Sequence, residues 1–507
     1  LPPTACQVCA SFLSRTDWTG LLHQKETLQT MRPNILWICT DQQRSDTLGC
    51  TGNRFVTTPH IDALAQESAQ FDQCYVQSPI CMPSRASFLT GRYPRTTRLR
   101  QNGQIIPPDE KPISRLLADA GYYCGLVGKF HLAPAEPAVN ATIEARINDG
   151  YEEFCWAGDP HDNWGNHSGY TAFLSERGER FETPPRPDCA FVEIGMPEAL
   201  HEASWCANQA IDFIERRAGS GSPWMFSLNM FAPHHPFNPP ESYLQPYLER
   251  IDEIPLPAAL GDDLSGKPAY QAIDAEGAYG RTMPYWRGMS ERDHRMVRAA
   301  YWAMCDLVDV KIGAILDALT RSGQRDNTIV VFMSDHGEML GDHGIYLKGP
   351  YFYDPAVRVP LIINWPGRIV PKRHTGLAEL VDLAPTLLDA CGINPYPGMQ
   401  GLSLWPQLNG QSPPGGRENI YCEYYNAMPF HNDPTAQLTM LRTQAHKIVV
   451  DHANGDGELY DLDADPLEIV NLWHDPTALA VKAEMLTQLT HRMAFTVDPL
   501  PPRISEW

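Results

Sequence analysis

Four short apolar runs, each closed by a polar string, constrain this chain more than anything else in it. Asn34–Thr40 (NILWICT) ends in Asp41 and Gln42. Phe71–Val76 leads to Cys81-Met82-Pro83-Ser84-Arg85. Trp224–Phe231 opens into Pro233-His234-His235-Pro236, and Asn327–Met333 into Ser334-Asp335-His336-Gly337. Near-continuous apolar runs of this length read as parallel strands buried on both faces. Helical patterns separate them: Pro59–Ser68, Pro112–Ala120, Ala203–Arg217 and Ser290–Ser322. In the last, Ser290 caps, Asp293 stands at the capping-box position and Gly323 stops the helix. A further helix is expected at Asp382–Ala390 and a further strand ending at Asn364. If the four runs share one parallel sheet, their carboxyl ends converge on one crevice.

The chain has 507 residues and 43% hydrophobic residues, enough for a large α/β domain with an appendage. From about residue 406 the texture changes. Thr439–Val450 and Glu458–Leu462 read as antiparallel strands joined by the turn Asn454-Gly455-Asp456-Gly457, with a final helix over Pro476–Met493. The expected division is an extension at 1–30, an α/β domain at 31–405 and a smaller α+β domain at 406–507. Residues 133–205 and 241–289 lack periodicity and read as irregular insertions. The aromatics of the first (Trp156 and Trp164, with His161 and His167) either stack on a substrate or pack together.

A net charge of −21 argues against nucleic acid and anionic membranes as partners. No run approaches a membrane span. The 13 cysteines include no visible disulfide framework, so reduced thiols and a cytoplasmic location are expected. Cys6 and Cys9 form a C-x-x-C with no second pair nearby. Residues 1–30 lack the pattern of a secretory signal, and Met31, just before the first strand, is a candidate start.

The residue types at the strand ends define a chemistry. Asp41, Gln42, Asp335 and His336 would surround a divalent cation. The oxygen-rich set favours Ca²⁺ or Mg²⁺, and the imidazole also admits Mn²⁺. Pro83 suits a first helical turn, which puts Cys81 at a helix N-terminus with Arg85 four residues on. Lys129 and His131 alternate after the strand Tyr122–Val127, so they share a face if that strand continues. Lys348 follows in YLKGP, and Asn102 is either a turn residue or a pocket amide. Cationic groups around a metal and a nucleophile suit a tetrahedral oxyanion such as a sulfate or phosphate ester.

C-x-P-S-R followed by A-S-x-L-T-G-R resembles the signature of the formylglycine-dependent sulfatases of the alkaline phosphatase superfamily. GKFHL at 128–132, P-H-x-P at His234, SDHG at 334–337 and R-T-x-x-x-K-I-V…ELYDL near the C-terminus resemble further motifs of that family, over residues 31 to about 475. The resemblance implies an alkaline-phosphatase-like α/β/α sandwich around a large, mostly parallel sheet, with a smaller C-terminal antiparallel sheet plus helix. It implies an arylsulfatase-like hydrolase in which Cys81 is oxidised to Cα-formylglycine by a formylglycine-generating enzyme. It further implies one divalent metal, foremost Ca²⁺, held by Asp41, Gln42, Asp335, His336 and the modified Cys81. Arg85 and Lys129 would neutralise oxyanions, His234 and Lys348 would serve the leaving group, and His131 would take the proton that releases sulfate. Asn102, Lys129, His234 and Lys348 would contact a small-molecule sulfate ester. A homodimer or higher homo-oligomer is left open. The family usually has two acidic residues where this chain has Asp41 and Gln42. That departure, with His336, also fits phosphonate monoester and phosphodiester hydrolases of the same superfamily, while Lys129 and His131 favour a sulfatase. A metal-binding or structural protein with a dead site is the remaining alternative.

Overall fold

The computed structural model describes residues 32–140, 142–160, 164, 167–412 and 416–497. The extension at 1–30, Cys6, Cys9, Met31 and His161 lie outside the described residues. The strands in chain order are β1 (Asn34–Thr40), β2 (Ala69–Tyr75), β3 (Tyr123–Gly128), β4 (Glu153–Trp156), β5 (Pro185–Arg186), β6 (Cys189–Glu193) and β7 (Trp224–Met230). They continue with β8 (Thr328–Ser334), β9 (Arg358–Asn364), β10 (Lys372–Glu379), β11 (Ile420–Tyr425), β12 (Gln437–Arg442), β13 (His446–Asp451) and β14 (Asp456–Asp461). The main sheet has eight strands in the order β10-β2-β9-β8-β1-β7-β3-β4. Seven run one way; β9 is antiparallel to both its neighbours, β8 and β2.

The central strands β1, β7 and β8 are buried at every residue, as their unbroken apolar sequences require. Helices cover the sheet: α1 (Pro59–Gln66), α2 (Cys81–Thr90), α3 (Ile113–Asp119), α4 (Glu202–Arg217), α5 (Glu291–Arg321) and α6 (Leu383–Ala390). The capping box expected at Ser290 and Asp293 forms in full. The side chain of Thr58, the N-cap of α1, makes no capping bond. Instead Asp309 of α5 accepts from His60 N and Ile61 N at 3.2 and 2.7 Å, so one helix caps the other.

Two expectations change in detail. The stretch Thr439–Val450 is two strands, β12 and β13, turning at 443–445, and β11 joins them, so the second sheet has the order β11-β12-β13-β14. The closing helix α7 (Leu479–Ala494) packs on this sheet. The insertion at 133–205 also contributes β4 to the edge of the main sheet, and that at 241–289 contains helices at Glu241–Leu248 and Ala269–Glu276. Trp156 and Trp164 are buried and meet edge to face at 4.7 Å. They pack together.

Candidate active site

The sheet order β8-β1-β7-β3 places four strand exits side by side. Thr40 pairs with Ser334 and with Met230, and Gly128 pairs with Asn229. The next residues are therefore neighbours: Asp41, Asp335, the Phe231–His235 loop and Lys129. Two glycines permit the closeness. A Cβ on Gly128, whose φ is +90°, would stand 1.9 Å from Asn229 O. One on Gly337 would stand 1.9 Å from Pro355 O. Two residues at the site, Gln42 (φ 66°) and His131 (φ 60°), hold the left-handed conformation without being glycine. Such backbone persists only where the surroundings fix it. Gln42 N donates to Asp335 Oδ1 at 3.0 Å, and its carbonyl accepts from Tyr301 Oη at 2.6 Å.

Cys81 is the first residue of α2, as the Pro83 argument predicts. Ile80 before it cannot cap. Asn102 does so from another loop, its Oδ1 accepting from Met82 N at 3.1 Å while its Nδ2 lies 3.5 Å from Cys81 Sγ. Asn102 is thus a pocket amide. The thiol is 2% exposed, where a surface-facing nucleophile would be expected from the helix-terminus position alone. Burial raises its pKa, but Lys129, Lys348 and the adjoining His131 ring outweigh burial and bring it well below the usual thiol value.

The Arg85 guanidinium lies near Cys81 and spans the two carboxylates. Its Nε donates to Asp335 Oδ2 at 2.8 Å, Nη1 to Lys129 O at 2.8 Å, and Nη2 stands 3.4 Å from Asp41 Oδ2. Lys129 Nζ is bonded to the same Asp41 oxygen. Burial works against ionised Asp41, yet Lys129 and Arg85 hold it far below the ordinary carboxylate range. Lys129 and His131 both reach the site, but not along a continued strand. β3 ends at Gly128, and the left-handed turn at His131 delivers the ring.

His234 and His235 leave β7 on a loop with cis peptide bonds at Ala232–Pro233 and His235–Pro236. Lys348 Nζ stands 2.9 Å from His234 Nε2, 3.2 Å from His336 Nε2 and 2.8 Å from Gln42 Oε1. Burial and then Lys348 push both histidines of the pair down, His234 well below its ordinary value and His235 to about 3. Both rings are therefore neutral at neutral pH. His234 Nδ1 is bonded to the carbonyl of His235, so it carries the proton, and Nε2 accepts from Lys348.

Three of the five expected metal ligands form a compact set, to which the Cys81 thiol does not belong. Asp41, Asp335 and His336 each offer one ligand atom, all within 4.8 Å of one another and all fully buried. Asp41 Oδ1 has no hydrogen-bond partner, with His336 Nε2 at 3.6 Å. A buried carboxylate oxygen without a donor is costly unless a cation serves it. The fourth, Gln42, turns its Oε1 toward Lys348. The set fits a hard divalent cation, with oxygen donors and one imidazole.

Four residues at the site carry no local signal or were passed over. Glu338 is fully buried and bonded to Gln42 Nε2. His235 Nδ1 lies 3.3 Å from the same nitrogen. Glu144 accepts from His131 N at 2.8 Å, Leu132 N at 3.0 Å and Trp156 Nε1 at 2.9 Å, and so fixes the His131 turn. Glu202 of α4, raised by burial to about 7, accepts from Cys206 Sγ at 2.9 Å behind the His234 loop. His235 and Glu338 stand inside motifs that mark the site. Glu144 sits in an aperiodic stretch, and its partners are remote or irregular.

A strand-end crevice with a buried cysteine at a helix start, three cations and a hard-metal set defines a hydrolase of tetrahedral oxyanion esters. The family model "Sulfatase" matches residues 33–393, and "N-sulphoglucosamine sulphohydrolase, C-terminal" matches 341–494. The chain belongs to the sulfatase family and is a sulfuric ester hydrolase. It is 30% identical over 460 residues to an arylsulfatase of Clostridium perfringens, covering 87% of this chain and 90% of that one. It is likewise 30% identical over 460 residues to a choline-sulfatase of Rhizobium meliloti, with coverage of 89% and 84%. Among solved structures, a phosphonate monoester hydrolase from Silicibacter pomeroyi matches with a TM-score of 0.80 at 26% identity, covering 92% of this chain and 96% of that one. The alkaline-phosphatase-like architecture is that of these neighbours. Among the described residues no helix is long and apolar enough to cross a membrane.

Proposed function

We propose that the chain hydrolyses small-molecule sulfate monoesters at position 81 after oxidation of Cys81 to formylglycine, with phosphonate monoesters and phosphodiesters as side substrates. The carrying observation is the placement of Cys81: first residue of α2, touched by Asn102 and His131, between Lys129 and Lys348. Hydrated formylglycine supplies a hydroxyl nucleophile that a thiol cannot replace, since the aldehyde can re-form and release sulfate. A divalent cation, Ca²⁺ first and Mg²⁺ or Mn²⁺ next, would be held by Asp41, Gln42, Asp335, His336 and the modified residue 81. It would supply positive charge to the ester oxygens.

The residues present divide the work. Arg85 holds Asp41 and Asp335 in place and helps keep Asp41 ionised. Lys129 and Lys348 supply fixed positive charge where the oxyanion would sit, in a site shielded from water. Lys348 carries a proton that His234 Nε2 already accepts in a hydrogen bond, so the pair can protonate a departing alkoxide. His131, beside Cys81, is placed to take the hydroxyl proton when sulfate leaves. Asn102 orients position 81 and caps its helix. The side activity is favoured by Gln42, a neutral amide where the family pattern has a carboxylate.

The test is mass spectrometry of the Cys81 peptide from active protein. Conversion of the thiol to the aldehyde exchanges H₂S for O. Fully active protein with an intact thiol overturns the proposal. The division into a catalytic unit at 31–405 and a smaller one at 406–507 is proposed on the same footing, with limited proteolysis between 405 and 420 as its test.

A further inference from the structure

The Gln42 side chain has both ends of its amide fixed. Oε1 accepts from Lys348 Nζ at 2.8 Å. Nε2 has two hydrogens. One goes to Glu338 Oε2 and the other to His235 Nδ1 at 3.3 Å. An ammonium can only donate. Lys348 therefore requires the amide oxygen on its side, which leaves the NH₂ toward Glu338 Oε2 and His235 Nδ1. The reverse would set NH₂ against the ammonium and the oxygen against the carboxylate. Glu338 is itself held, because its Oε1 accepts from Leu340 N at 2.8 Å and from Leu347 N. With that oxygen pinned by two backbone donors, Oε2 stays aimed at Gln42.

We propose that Glu338 is a positioning residue that locks the Gln42 amide with Oε1 on the side of Lys348, whose Nζ also stands 3.2 Å from His336 Nε2, so that an oxygen and not an NH₂ is available beside the ligand set for a cation. A carboxylate presents an oxygen whichever way it turns. An amide presents oxygen in one orientation and, in the other, an NH₂ whose lone pair is delocalised and does not coordinate a cation. Gln at position 42 therefore needs an orienting partner that Asp would not. Glu338 also places a third carboxylate one residue behind the ligand set, where a carboxylate at position 42 would have stood within it.

This role presupposes the cation-binding reading above, and the experiment separates the two. Metal-stripped full-length protein is titrated calorimetrically with Ca²⁺, Mg²⁺ and Mn²⁺ in turn. In Glu338→Gln the new NH₂ faces Gln42 Nε2, the Gln42 amide turns over, and affinity for the preferred cation falls 10–100-fold. Adding Gln42→Glu to that variant exchanges the two groups, with residue 338 now donating, and restores affinity to within a few-fold of wild type. In a Gln42→Ala background, Glu338→Gln has no further effect. Wild-type affinity in Glu338→Gln overturns the role of Glu338 alone, as does an equal loss with Gln42→Ala present. If Glu338→Gln does not fold, the exchanged double variant decides: binding no tighter than Gln42→Ala overturns the role. A wild type that binds none of the three cations overturns the metal reading and this one with it.

Discussion

Two of the buried charge clusters among the described residues are built to opposite rules. The first is the crevice of Asp41, Asp335, Arg85, Lys129 and Lys348. The second lies between the two sheets, where Glu379 and Asp382 meet Arg417 and Arg492. There every carboxylate oxygen is served. Glu379 accepts from Tyr93 Oη at 2.5 Å, Tyr421 N at 2.7 Å and Arg492 Nη2 at 2.6 Å. Asp382 accepts from Leu402 N at 2.7 Å and Arg417 Nε at 2.9 Å. In the crevice Asp41 Oδ1 has no donor, and two imidazoles are held neutral beside a lysine. A closed network joins elements. An open one keeps valence in reserve for a ligand. An unserved carboxylate oxygen beside neutral imidazoles distinguishes the crevice from this second cluster, in which the unpaired buried atom is Arg492 Nε.

Breaking the open cluster should cost activity and little stability. Cys81→Ala is expected to abolish turnover, the largest effect here. It removes one buried sulfur and the Asn102 contact, so the melting temperature should fall by a few degrees at most. A large loss of stability would place Cys81 in the structural class. His234→Ala comes next. A general acid contributes roughly 10²–10⁴-fold, but a nitrophenolate needs little protonation. Alkyl sulfate turnover should therefore fall by that factor and nitrophenyl sulfate turnover far less. Equal losses on both would make His234 a positioning residue.

Breaking the closed cluster should do the reverse. Glu379→Gln leaves two buried guanidinium groups short of a carboxylate and should cost about 3–5 kcal/mol in urea unfolding. The folded fraction should keep kcat within a few-fold. Burial opposes ionised Glu379, yet Arg417 and Arg492 bring its pKa below the ordinary value. A lowered folded-state value gives stability that is present above the unfolded pKa and lost as pH falls through the folded one. The gap between wild type and Glu379→Gln should thus narrow below about pH 4.5. A gap that widens on acidification would contradict the pairing.

The open cluster was legible in sequence where a functional group directly follows an apolar run. Asp41 after NILWICT and Asp335 after TIVVFMS need only the rule that parallel strands deliver their carboxyl ends to one edge. Pro83 gave the helix start at Cys81. The turn at His131 was not legible, because nothing in KFHL announces a left-handed residue; Glu144 imposes it from an aperiodic segment. Glu338 was visible in SDHGE, yet its meaning depends on Gln42, 296 residues away. The closed cluster gave no signal at all, since Glu379, Arg417 and Arg492 come from three elements with no shared motif. The split of Thr439–Val450 into two strands was hidden for a smaller reason: residues 443–445 (TQA) turn without glycine or proline.

The smallest expected effect sharpens the comparison most. In the crevice three cations, Arg85, Lys129 and Lys348, stand against three carboxylates, Asp41, Asp335 and Glu338. A divalent cation and a monoanionic ester would add one net positive charge. Gln42→Asp brings a fourth carboxylate into the ligand set, near Glu338. At an effective dielectric of about 20, a unit charge 4 Å away is worth on the order of 4 kcal/mol. Most of that acts equally on all monoanionic substrates and cancels in a ratio. What survives is the difference in charge on the peripheral oxygens at the transition state, which is greater for phosphorus esters than for sulfate esters. A third of the Coulomb term is about 1.4 kcal/mol, or tenfold. The ratio of kcat/KM for aryl sulfate to that for aryl phosphonate should therefore rise about tenfold in Gln42→Asp, with metal occupancy verified in both proteins. An unchanged ratio at full occupancy would mean that charge at position 42 does not choose between the oxyanions, and that Gln42 serves only to carry the hydrogen bonds to Glu338, His235 and Lys348.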